Sequence, residues 1–377
     1  MTGIALFGAG KIGAMIAELL HSSGDYDITV LDQNETALQA LKQRLNGIHV
    51  ARFEQQSSGV VPECLKRCHA LINAGPFHLS EGLARMANTA KVHYLDLTED
   101  VRSTRSIRQI AAQAETAFIP QCGLAPGFIG IVAYDIARQF EQLHNVHMRV
   151  GALPQFPSNG LKYNLTWSTD GLINEYINPC EAIVNGEHRE VRPLEELEHF
   201  SLDGADYEAF NTSGGLGTLC ETLSGKVRNL NYRTVRYPGH RDAMKLLIQD
   251  LRLGERPALF KEILEHALPV TMQDVVLIFV SVSGYREQQF QQQTFVRKIY
   301  SQLFNGQQRS AIQLATASSI CAVLELLLGG DVPQSGFVKQ EQIPLEKFLA
   351  NRFGQVYADA PAALSALETR INEVAQS

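Results

Sequence analysis

The sequence predicts an α/β fold: an N-terminal doubly wound parallel sheet joined to a second α+β domain with a large, mostly antiparallel or mixed sheet. Three observations predict it. Short β-branched runs alternate with helical periodicity as far as Gln121, a glycine-rich turn follows the first run directly, and beyond Gly127 the strand-like segments switch to strict alternation. At 377 residues the chain exceeds the size at which one core keeps growing. The expected division is a nucleotide-binding domain over 1–125, an α+β domain over 126–310 that carries substrate and a dimer contact, and C-terminal helices over 311–377 returning to the first domain.

In the first domain, runs at 4–7, 28–31, 50–53, 70–74, 92–97 and 118–121 give six strand-then-helix steps. The first helix places Ile12, Met15, Ile16, Leu19 and Leu20 on one face, and Gly24 stops it. Leu38, Leu41 and Leu45 repeat the pattern before Asn46 and Gly47. In the second domain, Leu161, Tyr163, Leu165 and Trp167 alternate with Lys162, Asn164, Thr166 and Ser168, which reads as a half-buried strand. Asn185-Gly186 suits a tight hairpin, and 232–237, 275–282 and 294–304 supply long strands. The periodicity of 311–328 is helical, and 345–353 is helix-like.

Hydrophobic residues at 45% and charged residues at 19% are ordinary globular composition. A net charge of −7 without a Lys/Arg run predicts no nucleic-acid partner. The six cysteines, Cys64, Cys68, Cys122, Cys180, Cys220 and Cys321, form no CxxC pair and no cluster at metal spacing, so reduced thiols and no metal are expected. Cys64, Cys68 and His69 read as helix packing. With no basic leader or cleavage site at the start, and 275–280 as the longest apolar run, a cytoplasmic protein without a membrane partner is expected.

Gly8-Ala9-Gly10-Lys11-Ile12-Gly13 is a GxGxxG turn set directly between a strand and an amphipathic helix, and Asp32 ends the next strand. Gly8 permits the tight turn, Gly10 lets backbone approach a pyrophosphate, Gly13 allows close helix packing, and the helix start offers free N–H groups. This is a Rossmann-type dinucleotide site. Asp32 selects NAD: a 2′-phosphate about 4 Å from its carboxylate would be repelled by about 4 kcal/mol at an effective dielectric near 20. Gln33 and Asn34 add no compensating cation. Asn73 and Ala74, at the end of the fourth strand, are further candidates for the cofactor.

The substrate should lie beyond the carboxyl ends of the strands, facing the second domain. Asp96, ending the fifth strand, is one candidate. Cys122, within Gln121-Cys122-Gly123-Leu124-Ala125-Pro126-Gly127, reads as wall, since hydride chemistry needs no nucleophile. Thr212-Ser213-Gly214-Gly215 is a turn that could cradle a carboxylate. Arg236-Tyr237-Pro238-Gly239-His240-Arg241 brings two guanidiniums and an imidazole to a helix start, a good place for an anion.

These segments, with 161–168 and its Trp167-Ser168, resemble the saccharopine dehydrogenase family over nearly the whole chain, to about Phe353. Trp167-Ser168 is similar to the saccharopine enzymes; Thr212-Ser213-Gly214-Gly215 is similar to lysine 6-dehydrogenases. The resemblance implies a sheet-containing second domain that often dimerises, and oxidation at the carbon bearing the ε-nitrogen of a lysine skeleton. Saccharopine, oxidised with NAD and water to glutamate and 2-aminoadipate 6-semialdehyde, is the leading expectation because its three carboxylates match the arginines. Lysine is the alternative, and a dinucleotide sensor or scaffold without turnover is the rival from another class. A reductive polyamine enzyme of the same family should prefer NADPH, which Asp32 opposes. In this reading His240 is the general base, Asp96 holds the ammonium, Arg236, Arg241 and Thr212 take carboxylates, and Tyr163 and Trp167 wall the aliphatic chain.

Overall fold

The β-branched runs of the first third are apolar on both faces. Ile4, Ala5 and Leu6 are all fully buried, which requires a sheet covered on both sides. The computed structural model describes residues 1–53 and 62–358. In it β1 (Thr2–Phe7), β2 (Tyr26–Asp32), β3 (His49–Arg52), β4 (Ala70–Asn73), β5 (His93–Asp96) and β6 (Ala117–Ile119) pair in parallel in the order 3-2-1-4-5-6. A short strand at Gly336–Phe337 adds a seventh beside β6. That order is the Rossmann arrangement. Helices α1 (Lys11–Ser22), α2 (Glu35–Arg44), α3 (Ser80–Ala90) and α4 (Val101–Ala111) alternate with the strands. Asn34 caps α2 by accepting from Ala37 N at 3.1 Å, and Asp100 caps α4 by accepting from Ser103 N at 2.7 Å.

The chain divides into two compact units. The first is Met1–Ile131 with the chain from Gln313 onward, and the second is Val132–Ile312. Within the first unit the C-terminal part is anchored by aromatic packing: the Tyr357 ring stacks on Phe128 at 3.9 Å, and its hydroxyl donates to Ala315 O at 2.6 Å. The helix Ala311–Leu328 is, among the described residues, the one long and apolar enough to cross a membrane, and 78% of it is buried in the protein. Its scattered Gln, Thr and Ser hid it from a search for unbroken apolar runs.

The second unit is built on a mixed sheet. Strands β7 (Gln142–Pro154), β8 (Cys180–Val184), β9 (Glu187–Val191), β10 (Glu198–Leu202), β11 (Ala205–Asn211), β12 (Val227–Arg236), β13 (Asp274–Arg286) and β14 (Gln289–Tyr300) contribute. The main path runs β10-β11-β12-β7-β13-β14, with β8 on β12 and β9 on β8; only β12 and β7 pair in parallel. Asn185 and Gly186 make the β8–β9 turn with φ of 53° and 85°, the double positive φ of a type I′ hairpin.

The expected strand over 161–168 does not form. Lys162 has φ 50°, its N–H closes a turn onto Asn159 O at 2.9 Å, and the Asn159 amide donates to Tyr163 O at 2.6 Å. Tyr163, Asn164, Leu165 and Thr166 are buried consecutively. Alternation had required a solvent side for Asn164 and Thr166, and a buried loop removes it. The strand expected from 294 begins at Gln289 and breaks after Tyr300; the polar Gln291–Gln293 stretch concealed its start.

Candidate functional site

In the first unit the turn after β1 is shaped by close approach. Gly8 has φ 107°, and a Cβ there would stand 2.9 Å from Ala74 backbone. A Cβ on Gly13 would stand 2.0 Å from Gly8 O, so α1 can lie this close to β1 only with glycine. Gly10 is different: its φ of −71° suits any residue, and a Cβ would meet nothing within 4 Å. Gly10 is also the N-cap of α1 and offers no side-chain cap, so the N–H groups of Lys11 and Ile12 are not capped by the protein's own side chain. Open space above an uncapped helix start fits the pyrophosphate of a dinucleotide. Asp32 is fixed beside it, accepting from Ala9 N at 2.6 Å and Asn34 N at 2.8 Å, with Gln33 exposed next to it.

Two expected residues of this unit could meet a cofactor through backbone alone. The Asn73 amide is buried and committed: it donates to Ser80 Oγ at 3.1 Å and Tyr94 Oη at 3.2 Å and accepts from Gly75 N at 2.9 Å. Ala74 serves as the backbone against which Gly8 packs. Neither offers a free polar side chain to a cofactor. Asp96 is fully buried, not open to a ligand. It accepts from Tyr94 Oη at 2.9 Å, Thr98 N at 3.1 Å and Gln121 N at 2.9 Å. Burial pushes its carboxyl up to about 6, against the pull of those three hydrogen bonds. Cys122 is buried, with its thiol pushed well above the ordinary range by burial and then by Asp96. It is wall, as a thiol held protonated must be.

In the second unit α6 (Thr169–Ile177) and α8 (His240–Lys245) bring together a chain of polar groups inside an aromatic cluster. Arg236, 2% exposed at the end of β12, donates from Nε to Tyr176 Oη at 3.0 Å and from Nη1 to Val235 O at 2.8 Å. The carboxylate of buried Glu175 acts on its charge, and its guanidinium carbon lies 5.0 Å from the Tyr163 ring centre. His240 Nδ1 bonds Leu161 O at 2.8 Å, which places the ring proton there and leaves Nε2 to accept from the Tyr176 hydroxyl at 3.1 Å. Burial first, then the Arg236 charge, pushes His240 down to about 3. A base poised near neutrality is not what this environment makes; His240 is a neutral acceptor that orients Tyr176.

The helix start expected to bind an anion is already filled. Glu208, from β11, accepts from Gly239 N at 2.8 Å and Arg241 N at 2.6 Å. Arg241 is likewise engaged, donating from Nε to Leu194 O at 2.8 Å and pairing with Asp242 at 2.5 Å and Glu195 at 3.7 Å. The glycines after Thr212 serve packing: a Cβ on Gly215 would fall 2.3 Å from the Tyr232 ring. Thr212 Oγ1 and Tyr163 Oη are nonetheless buried without a hydrogen-bond partner. Trp167 lies half-buried over Gly171, where a Cβ would be 2.4 Å from its ring.

Residues 4–119 match the family model described as the saccharopine dehydrogenase NADP binding domain, and residues 123–355 match the saccharopine dehydrogenase C-terminal domain. The chain belongs to the saccharopine dehydrogenase family. It is an oxidoreductase family with a nicotinamide dinucleotide as cofactor. The bovine mitochondrial alpha-aminoadipic semialdehyde synthase is 20% identical over 304 residues, covering 74% of this chain and 31% of its own length. The rat protein gives the same identity and coverage, so this chain spans about a third of the length of these curated relatives. Saccharopine dehydrogenase (L-Glu forming) from Saccharomyces cerevisiae has the same fold, with a TM-score of 0.76 at 14% identity over 95% of this chain and 96% of that one.

Against that family frame, Tyr176 and Glu208 are the residues that sequence reasoning missed. Glu208 carried one signal, an acidic residue between apolar Tyr207 and Ala209 in a strand whose last five positions are all buried. Tyr176 carried none, being an ordinary aromatic on a helical face.

Proposed function

We propose that this chain oxidises saccharopine to L-glutamate and 2-aminoadipate 6-semialdehyde with NAD and water, hydride leaving the carbon that bears the lysine ε-nitrogen. The observation that carries the reading is Arg236, a buried guanidinium oriented by Tyr176 inside an aromatic cluster of a unit where Thr212 Oγ1 and Tyr163 Oη are buried without a hydrogen-bond partner. A buried cation gains from each anion brought to it, and Glu175 is one such charge already in the fold. An amino-acid carboxylate has the right charge and two oxygens for the fork. NAD, cradled by Gly8, Ala9, Gly10, Lys11, Ile12 and Gly13, would accept the hydride. Asp32 supports NAD over NADP by repelling a 2′-phosphate.

The protein's own part is to bind and orient. Tyr176 fixes the Arg236 fork, His240 fixes Tyr176, and Tyr163 with Trp167 flanks the aliphatic chain. The amine must be neutral when hydride leaves, since an ammonium nitrogen has no lone pair to push; water then adds to the imine. Lysine oxidation at the same carbon is the second reading. It is favoured by the engagement of Arg241, which leaves Arg236 alone of the two guanidiniums expected for saccharopine's three carboxylates. We propose too that two copies pair through the second-unit sheet, whose edge strand β14 exposes Phe290 and Tyr300.

The test follows reduced cofactor formation with saccharopine, lysine and N-carboxyalkyl diamines, each with NAD and NADP. Saccharopine with NAD should be turned over fastest. Efficient lysine oxidation with saccharopine ignored replaces the first reading by the second, and dinucleotide binding without any turnover favours a sensor.

A further inference from the structure

Glu181 on β8, His188 on β9 and Cys220 on the short helix α7 (Leu219–Leu223) have side-chain ligand atoms that all lie within 4.8 Å of one another. We infer that these three residues form a transition-metal site, fitted to zinc(II), that clips the β8–β9 hairpin to α7. The placement follows from register. Glu181 faces Glu190 and His188 faces Ile183, so Glu181 and His188 share one face of the hairpin as diagonal neighbours, within reach of long side chains. His188 Nε2 stands 3.8 Å from Glu181 Oε1, too far for a hydrogen bond and suited to two ligands of one ion.

The donor set is the chemical argument. Thiolate, imidazole and carboxylate together match a borderline-soft ion with no geometric demand of its own, and three protein ligands leave a fourth tetrahedral position for water. Cys220 is 4% exposed and close to a carboxylate, an arrangement that opposes a bare thiolate. A divalent cation reverses that balance, because both groups then face a positive charge and a coordinated thiol is deprotonated outright. As the sulfur–metal bond forms, the S–H bond breaks and one proton passes to solvent for each ion bound. Half-exposed His188 gives the ion a way in. The clip would sit at the far end of the Thr212–Gly217 turn, which α7 directly follows.

Full-length protein stripped with chelator is titrated with cobalt(II) chloride, then with zinc(II). Expected are one equivalent of tetrahedral cobalt per chain with a thiolate-to-cobalt charge-transfer band, loss of that band on adding zinc, and release of one proton per ion. Cys220→Ser should abolish the band. His188→Gln, at a half-exposed position that leaves the fold intact, should weaken cobalt binding about tenfold or more. Cys64→Ser and Cys68→Ser should change nothing. A wild-type protein without a thiolate band overturns the site, as does a band that survives Cys220→Ser. If Cys220→Ser fails to fold, His188→Gln alone decides, and unaltered cobalt affinity in that variant is equally fatal.

Discussion

Arg236 donates its Nε–H to the Tyr176 hydroxyl at 3.0 Å, so a phenol orients the buried guanidinium. The two arginines nominated by the sequence therefore separate. Arg236→Gln should lower kcat/KM roughly tenfold to a hundredfold, the cost of about 1.5 to 3 kcal/mol for a charge-assisted hydrogen bond to substrate. Arg241→Gln should stay within about threefold, its partners being Leu194 O, Glu195 and Asp242. Steady-state kinetics on both variants check this; equal losses would remove Arg236 from its assigned place.

Glu208→Ala should destabilise the second unit. It strips the acceptor from two N–H groups at the start of α8, each worth about 1 to 3 kcal/mol when left unpaired. Urea denaturation should show the loss, with Glu208→Gln retaining part of the stability. A neutral Glu208→Ala would mean that water satisfies those groups.

His240 titrates from 6.5 in the unfolded chain to about 3 in the fold. The unfolded state therefore binds the extra proton, and the stability owed to this neutral imidazole is complete above pH 6.5 and lost as pH falls toward 3. His240→Gln has no such proton to avoid. Its stability deficit relative to wild type should shrink by about 1.4 kcal/mol per pH unit below 6.5, or about 3 kcal/mol by pH 4.5. Denaturation series at pH 7.5 and 4.5 measure it, and a pH-independent deficit would contradict a neutral buried ring.

Gly10 and Gly13 should fail differently. Gly10→Val, at a position where an added Cβ meets nothing within 4 Å, should keep the melting temperature while eliminating NADH fluorescence enhancement. Gly13→Ala, with its Cβ 2.0 Å from Gly8 O, should lower the melting temperature itself. Tight NADH binding by Gly10→Val would remove the pyrophosphate from this turn.

Asp32→Ala should narrow the preference for NADH over NADPH and weaken both, since the carboxylate repels a 2′-phosphate and also holds Ala9 N. Competitive titration reads both effects. Wild-type protein binding NADPH more tightly than NADH would reverse the cofactor assignment.

The parallel sheet, the glycine-rich turn after β1 and the β8–β9 hairpin are legible in local pattern. Each is written in signals spanning a few residues: a period of 3.6 or 2, the spacing of Gly8, Gly10 and Gly13, the Asn185-Gly186 pair. The partners of the polar side chains are not. Glu208 takes the helix start from a position 33 residues before Arg241, Asn73 is consumed by Tyr94 from 21 residues away, and Tyr176 reaches His240 across 64. Glu181, His188 and Cys220 meet from three elements with no ligand spacing along the chain. The loop at 161–168 mimicked a strand because its apolar residues alternate, while its polar ones are buried by contacts absent from the local pattern. Periodicity reports how one element divides between core and water. Desolvation and hydrogen bonding belong to pairs of groups, and a pair distant in sequence exists only once the chain has folded.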